Sequence, residues 1–382
     1  MRKVYFDSAA TTQLREEVID KMHTSLKESY GNPSSTHSFG RSSKTLIESA
    51  RKTIAKHLNA KPSEIIFTSG GTEADNMILQ GAVRDLGVKT IITSKIEHHA
   101  VLHTIEELHK AHQIEVKYVD LAVCGTPDAK HLESLLKADS SKKLVSLMHV
   151  NNEVGTMIDI DLIADMCKEN DALFHSDAVQ SIGHWEWDLQ KTKVDFLAAA
   201  AHKFHGPKGI GFAFIRKDSG LKSLIFGGAQ ERGYRAGTES CHNIVGLEES
   251  FALAYDNLDE ERKYVSELKQ YFIEEIKKIF PEAKFNGGCE DSNKSTYTLV
   301  NVVLPLDEKK AQILLFHLDI NGIACSRGSA CQSGSSAGSH VLNEILSAED
   351  LNKPSLRFSF SKFNTKDEID YVMKVLEDFS KS

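Results

Sequence analysis

The sequence predicts an α/β fold: a mostly parallel sheet covered by helices, with a smaller α+β domain beside it. Three observations lead there. At 382 residues the chain exceeds what one hydrophobic core organises, and its 41% hydrophobic content is enough to fill two. Up to about residue 258, short β-rich runs alternate with helical patterns. Beyond that point the alternation gives way to one long amphipathic pattern and a few isolated runs.

The β-rich runs are 65–68, 90–93, 116–119, 144–147, 172–175 and 209–215, each ending in small or polar residues. Between them, Leu46, Ile47, Ala50, Ile54 and Leu58 recur at helical spacing, so residues 43–58 should lay one apolar face on the sheet. Ligands of such sheets collect at the carboxyl ends of the strands. After residue 258, Val265, Leu268, Phe272, Ile276 and Ile279 mark a long helix. A strand at 299–304 and a closing helix at 369–379 follow. The expected division is a large domain at 15–258 and a small domain built from 1–14 and 259–382. Residues 326–339 are mostly Ser, Gly and Ala, too poor in apolar mass to pack, so a mobile loop carrying Cys331 is expected there.

Composition removes several classes of function. Forty-six Lys and Arg against 54 Asp and Glu give a net charge of −8, with no basic run to hold nucleic acid directly. No segment approaches a membrane-spanning apolar length and the start lacks a signal-peptide pattern, so a cytoplasmic location and no membrane partner are expected. The six cysteines form no C-x-x-C pair, which fits reduced thiols better than disulfides or a zinc ribbon. His99 and His103 lie one helical turn apart, but no third ligand follows at credible spacing. They read as helix surface, and no metal is expected.

Three segments carry chemistry. Thr68-Ser-Gly-Gly-Thr-Glu joins a strand to a helical run, where backbone N–H groups and the helix's positive end can hold a phosphate. A plain glycine turn reads almost as well. Lys203 follows an apolar run, 198–201, and precedes a Gly/Pro turn. With an ordinary pKa of about 10.4 it needs desolvation or positive neighbours such as His202 to act as a nucleophilic amine. Asp177 closes a strand just before Gln180 and supplies a carboxylate able to keep a pyridine nitrogen protonated, as pyridoxal phosphate requires. Its ordinary alternative is a helix cap.

Ten segments in order then resemble the cysteine desulfurases. They are Tyr5-Phe-Asp-Ser-Ala-Ala-Thr-Thr, Gly31-Asn-Pro-Ser-Ser-Thr-His, Thr68-Ser-Gly-Gly-Thr-Glu, Glu97-His-His-Ala-Val, His149-Val-Asn-Asn-Glu-Val-Gly, Asp177-Ala-Val-Gln, His202-Lys-Phe-His-Gly-Pro-Lys-Gly, Arg235-Ala-Gly-Thr, Gly328-Ser-Ala-Cys and Leu356-Arg-Phe-Ser. The resemblance covers nearly the whole chain and implies the fold-type-I architecture of pyridoxal-phosphate-dependent transferases. It implies that Lys203 holds the cofactor, Asp177 pairs with its ring nitrogen, Gln180 bonds its hydroxyl, and His98 stacks on the ring and moves protons. Gly71, Thr72 and His202 would hold its phosphate, joined by Thr238 from the other subunit of a homodimer. Arg357 and Asn152 would hold the substrate carboxylate, with Asn32 lining the same pocket; a guanidinium clamps a carboxylate in bidentate fashion.

The implied reaction takes sulfur from L-cysteine, leaving L-alanine and a persulfide on Cys331 for an acceptor protein of iron–sulfur assembly or tRNA thiolation. Arg327 stands four residues before Cys331, where the family more often has a small residue; it reads either as raising the thiolate fraction of Cys331 or, equally well, as a solvated surface arginine. Cys325 reads as a sulfur relay or, better, as a small apolar residue at the loop's root. Ala200 replaces the family's usual serine, so looser cofactor retention is expected. Two rivals stand beside this reading: a selenocysteine lyase or other lyase or aminotransferase on the same fold, and a non-catalytic sulfur-assembly scaffold.

Overall fold

The computed structural model of the chain describes residues 2–327 and 338–381; Cys331 and most of its expected loop lie outside the described residues. Among the described residues the strands are β1 (Val4–Tyr5), β2 (Ile65–Thr68), β3 (Thr90–Thr93), β4 (Glu115–Tyr118), β5 (Lys143–Ser146), β6 (Leu173–Asp177), β7 (Phe196–Ala200), β8 (Gly211–Ile215), β9 (Lys284–Phe285), β10 (Leu299–Val303), β11 (Ile323–Ala324) and β12 (Ser355–Ser359).

Seven of them form the central sheet in the order β2-β8-β7-β6-β5-β3-β4. The pairings from β7 through to β4 are parallel, and β8 is antiparallel to both of its neighbours. The mostly parallel sheet is therefore as expected. Apart from the partly exposed edge strand β4, its strands are buried on both faces, and alternate residues serve two cores. Ile66, Ile91, Leu144, Phe196 and Ala198 pack with Ala74, Ile78 and Val101 of the helices Gly71–Arg84 and His99–His112. On the other face Phe67, Ile92, Val145, Leu197 and Phe212 pack with Ile47, Ile54 and Phe251.

One strand of the central sheet was not expected. Phe196–Ala200 carries three alanines and no β-branched residue, so local propensity says little. Register with β6 on one side and β8 on the other makes it a strand. Its small side chains let the helix Gly71–Arg84 lie close to the sheet: a Cβ on Gly71 would stand 2.5 Å from Val179 Cγ2 and 3.9 Å from the Ala200 methyl.

A separate core gathers Val4 and Phe6 with Phe272 and Ile276 of the long helix Leu258–Ile279, Val302, Phe358, and Leu376 of the closing helix Lys366–Lys381. Its three strands run antiparallel as β12-β10-β9, while β1 pairs in parallel with β11. The N-terminal segment thus bridges both cores, because beyond Phe6 it reaches the carboxyl ends of the central strands.

Candidate active site

At those strand ends lies a cavity of about 240 Å³. Each wall is delivered by the turn that follows a strand. The β2 turn brings Gly71 and Thr72, the segment after β3 brings His98, and the one after β5 brings Asn152. Asp177 ends β6, and β7 runs into a short turn holding His202 and Lys203. Gln180 and Arg357 complete the expected set. Asn32 and Thr238 do not line this cavity: both are exposed on their own chain, and the Asn32 Oδ1 accepts from the Ser34 N–H at 2.9 Å.

Lys203 Nζ donates to the carbonyls of Ala9 (2.6 Å) and Ala10 (2.9 Å), and Gln180 Nε2 donates to Ala9 as well (2.9 Å). The N-terminal segment therefore aims both side chains. His98 caps the helix His99–His112, its Nδ1 accepting from the Ala100 N–H at 3.1 Å. That bond places the proton of the neutral ring on Nε2. Burial, then the Lys203 charge, holds its pKa down to about 4. His202, with Nδ1 3.2 Å from Thr11 Oγ1, is likewise pushed down to about 4, first by burial and then by Lys203. It therefore brings no positive charge to Lys203 at neutral pH.

Asp177 accepts from the Val179 N–H at 2.9 Å, and burial raises its pKa to about 6 against the lowering pull of that bond and of Lys203. Sequence reasoning missed what stands behind it. Asp75, also on the cavity wall, is pushed up by burial and by the charges of Asp177 and Glu97, with His175 Nε2 3.3 Å from its Oδ1. Glu97 accepts from Ser94 Oγ (2.7 Å) and the Met148 N–H (2.9 Å), and burial raises it to about 8. The available signal for Asp75 was its place three residues after Thr72, on the same face of one helix.

Arg357 is buried and donates to the Asn152 carbonyl and to Asp7 Oδ1, both at 2.8 Å. Asp7 also accepts from Ser326 Oγ at 2.8 Å. Cys325 sits in the small core, where burial pushes its thiol well up, so it behaves as an apolar residue rather than a relay. His99 and His103 stack their rings 4.7 Å apart, the arrangement of packed side chains.

The residues present fit pyridoxal phosphate. A buried carboxyl group backed by two more awaits a cationic nitrogen, and a lysine faces the same space. The helix Gly71–Arg84 opens there with no side chain capping its N–H groups, which suits a phosphate. Fold and site together define a fold-type-I pyridoxal-phosphate enzyme.

The family profile described as Aminotransferase class-V matches residues 4–372. The chain belongs to that family and, within it, to the cysteine desulfurases. It is 43% identical to the "Cysteine desulfurase IscS" of Dictyoglomus turgidum over 98% of this chain and 94% of the relative. It is 41% identical to the "Putative cysteine desulfurase IscS 1" of Bacillus subtilis over 100% and 99%. Among solved structures, a "NifS-like protein" superposes with a TM-score of 0.89 at 35% identity over 99% of both chains. "SspA in complex with cysteine" does so with a TM-score of 0.80 at 30% identity, covering 95% of this chain and 100% of that one.

Proposed function

We propose that this chain removes sulfur from L-cysteine, giving L-alanine and a persulfide on Cys331 that is passed to an acceptor protein of iron–sulfur assembly or tRNA thiolation. The observation that carries the reading is the meeting of Lys203, Asp177, His98 and Arg357 around one cavity at the strand ends of this fold.

Pyridoxal phosphate, when bound, supplies an electron sink that acidifies the α-proton of the amino acid. Lys203 would hold it, and its amine, when free, would take that proton. Asp177 would keep the ring nitrogen charged, Gln180 would bond the ring hydroxyl, and neutral His98 would pack on the ring and move a proton through Nε2. Gly71, Thr72 and His202 would hold the phosphate; Thr238, exposed and not on the lining of its own cavity, would reach the site of a partner subunit in a homodimer. Arg357 and Asn152 bind the substrate carboxylate, with Asn32 contributed at the rim. Cys331 attacks the substrate sulfur as the carbon–sulfur bond breaks, so L-cysteine and the thiol become L-alanine and the persulfide. We read residues 15–258 as the cofactor domain and 1–14 with 259–382 as the small domain, working in the cytoplasm.

The test is to incubate purified protein with L-cysteine and measure alanine and sulfide for wild type and Cys331→Ala. Alanine formation should fall by at least about a hundredfold in the variant while cofactor absorption stays. Equal alanine formation removes Cys331 from the reaction, and no alanine from wild type removes the activity.

A further inference from the structure

A second cavity, of about 550 Å³, lies away from the cofactor site, between the helix Leu258–Ile279 and the segment 289–297, with Trp185 on its wall. Its most unusual feature is Lys269. This side chain is buried, donates to Ser295 Oγ (3.3 Å) and the Thr296 carbonyl (2.7 Å), and has no carboxylate partner among the described residues. An ammonium group offers three donors and carries a full charge, so two neutral acceptors leave both a donor and the charge unmet. Burial accordingly pushes the pKa of Lys269 down.

The acids on the same lining do not answer it. Asp259 is engaged by Arg262 at 2.6 Å and Glu290 by Lys277, while Glu267 is exposed to solvent and forms no ion pair with Lys269 among the described residues. On the same lining Trp185 and Tyr297 meet edge to face at 5.8 Å, with the Arg262 guanidinium over the Trp185 ring at 5.8 Å, and the buried indole N–H of Trp185 has no acceptor among the described residues. An anion with an apolar body satisfies this set; a neutral or cationic ligand leaves the ammonium as it is.

We infer that this cavity binds a small organic carboxylate, its charged end on Lys269 and its apolar part against Trp185 and Tyr297. The site is connected to the catalytic one. Thr296, held by Lys269, donates its N–H to the Gly155 carbonyl at 2.8 Å, three residues from Asn152. The Tyr297 hydroxyl stands 3.1 Å from His184 Nδ1, and His184 Nε2 stands 3.0 Å from the Lys203 carbonyl.

Calorimetric titration of the holoenzyme with benzoate, and with benzamide as its neutral counterpart, tests the inference. Benzoate should bind at one saturable site per chain and benzamide should not. Affinity should fall about tenfold or more in Lys269→Met, return in Lys269→Arg and persist in Arg357→Leu. Should Lys269→Met not fold, Ser266→Asp sets a carboxylate on the lining and is expected to weaken benzoate by a similar factor. The inference is overturned by absence of saturable benzoate binding, by equal binding of benzamide, or by full affinity in both Lys269→Met and Ser266→Asp. Loss of binding in Arg357→Leu with retention in Lys269→Met also overturns it, because the anion is then at the substrate clamp. None of these readings depends on turnover, so the proposed activity stands or falls separately.

Discussion

At the scale of single residues, Ala200 marks where this protein departs from the pattern it resembles. Its methyl is buried on the cavity wall, where the resemblance leads one to expect a serine hydroxyl for the cofactor phosphate. A hydrogen bond to a charged group contributes about 1.5–3 kcal/mol, so Ala200→Ser should tighten cofactor binding about tenfold or more, measured by equilibrium dialysis. Unchanged affinity would show that another donor already serves the phosphate. Lys203, Asp177, Gln180 and Arg357 were legible in the sequence because each stands in a short local motif. Asp75 and Glu97 were not, because their meaning comes from one another and from Asp177, and the three stand at or beyond the ends of three different strands. His202 was legible as a neighbour of Lys203, whereas its charge depended on burial that only the assembled fold reveals.

At the scale of elements, the segment leading to Thr238 shows how a turn with unfavourable backbone is held. Glu231 and Arg232 take positive φ values of 46° and 58° in succession, a region costly for residues with a Cβ. Glu231 is fixed there by a two-pronged pair with Arg51, both bonds 2.8 Å, and by the Phe67 N–H at 2.8 Å. The same carboxylate thus ties this turn to β2, just before the phosphate-binding turn. Removing one charge from a buried pair costs about 3–5 kcal/mol, so Glu231→Gln should lower the urea-unfolding free energy by that amount. A loss within about 0.5 kcal/mol would mean the pair contributes no more than an exposed one. Six strands of the central sheet were legible as β-rich runs, to within a residue or two; β7 escaped because alanine carries no such mark and the neighbouring strands alone decide its conformation.

At the scale of the whole molecule, buried titratable groups set a pH profile for the cofactor-free protein. Burial holds His98, His149, His202 and His205 near pKa 4 and His175 near 3, against 6.5 for an ordinary histidine. As pH falls from 6.5 towards 4 the unfolded chain takes up protons the native chain refuses, so these groups withdraw stability in that window. Asp177 (about 6) and Glu97 (about 8) act in the opposite sense, since the native chain keeps protons the unfolded chain has lost. With His99 also held near 4, six histidines outweigh the three raised carboxyls Asp177, Glu97 and Asp75, so Tm should rise from about pH 4 to about pH 6.5. Between 6.5 and 8, Glu97 should turn the profile down, and Glu97→Gln should make that decline shallower; a flat profile across both windows would contradict the assignment.

The N-terminal segment also dictates when the site can exist. The Ala9 N–H donates to Ser359 Oγ, 350 positions along the chain, and the carbonyls of Ala9 and Ala10 are what Lys203 and Gln180 grasp. A ribosome releases residues 4–10 long before it makes β12, so this strip must wait through nearly the whole of synthesis without its final neighbours. The central sheet can assemble earlier around its own contacts. The pocket is therefore closed only after β12 is made, by a strip synthesised some 350 residues earlier, and a cofactor arriving sooner meets a cleft that still lacks its front edge.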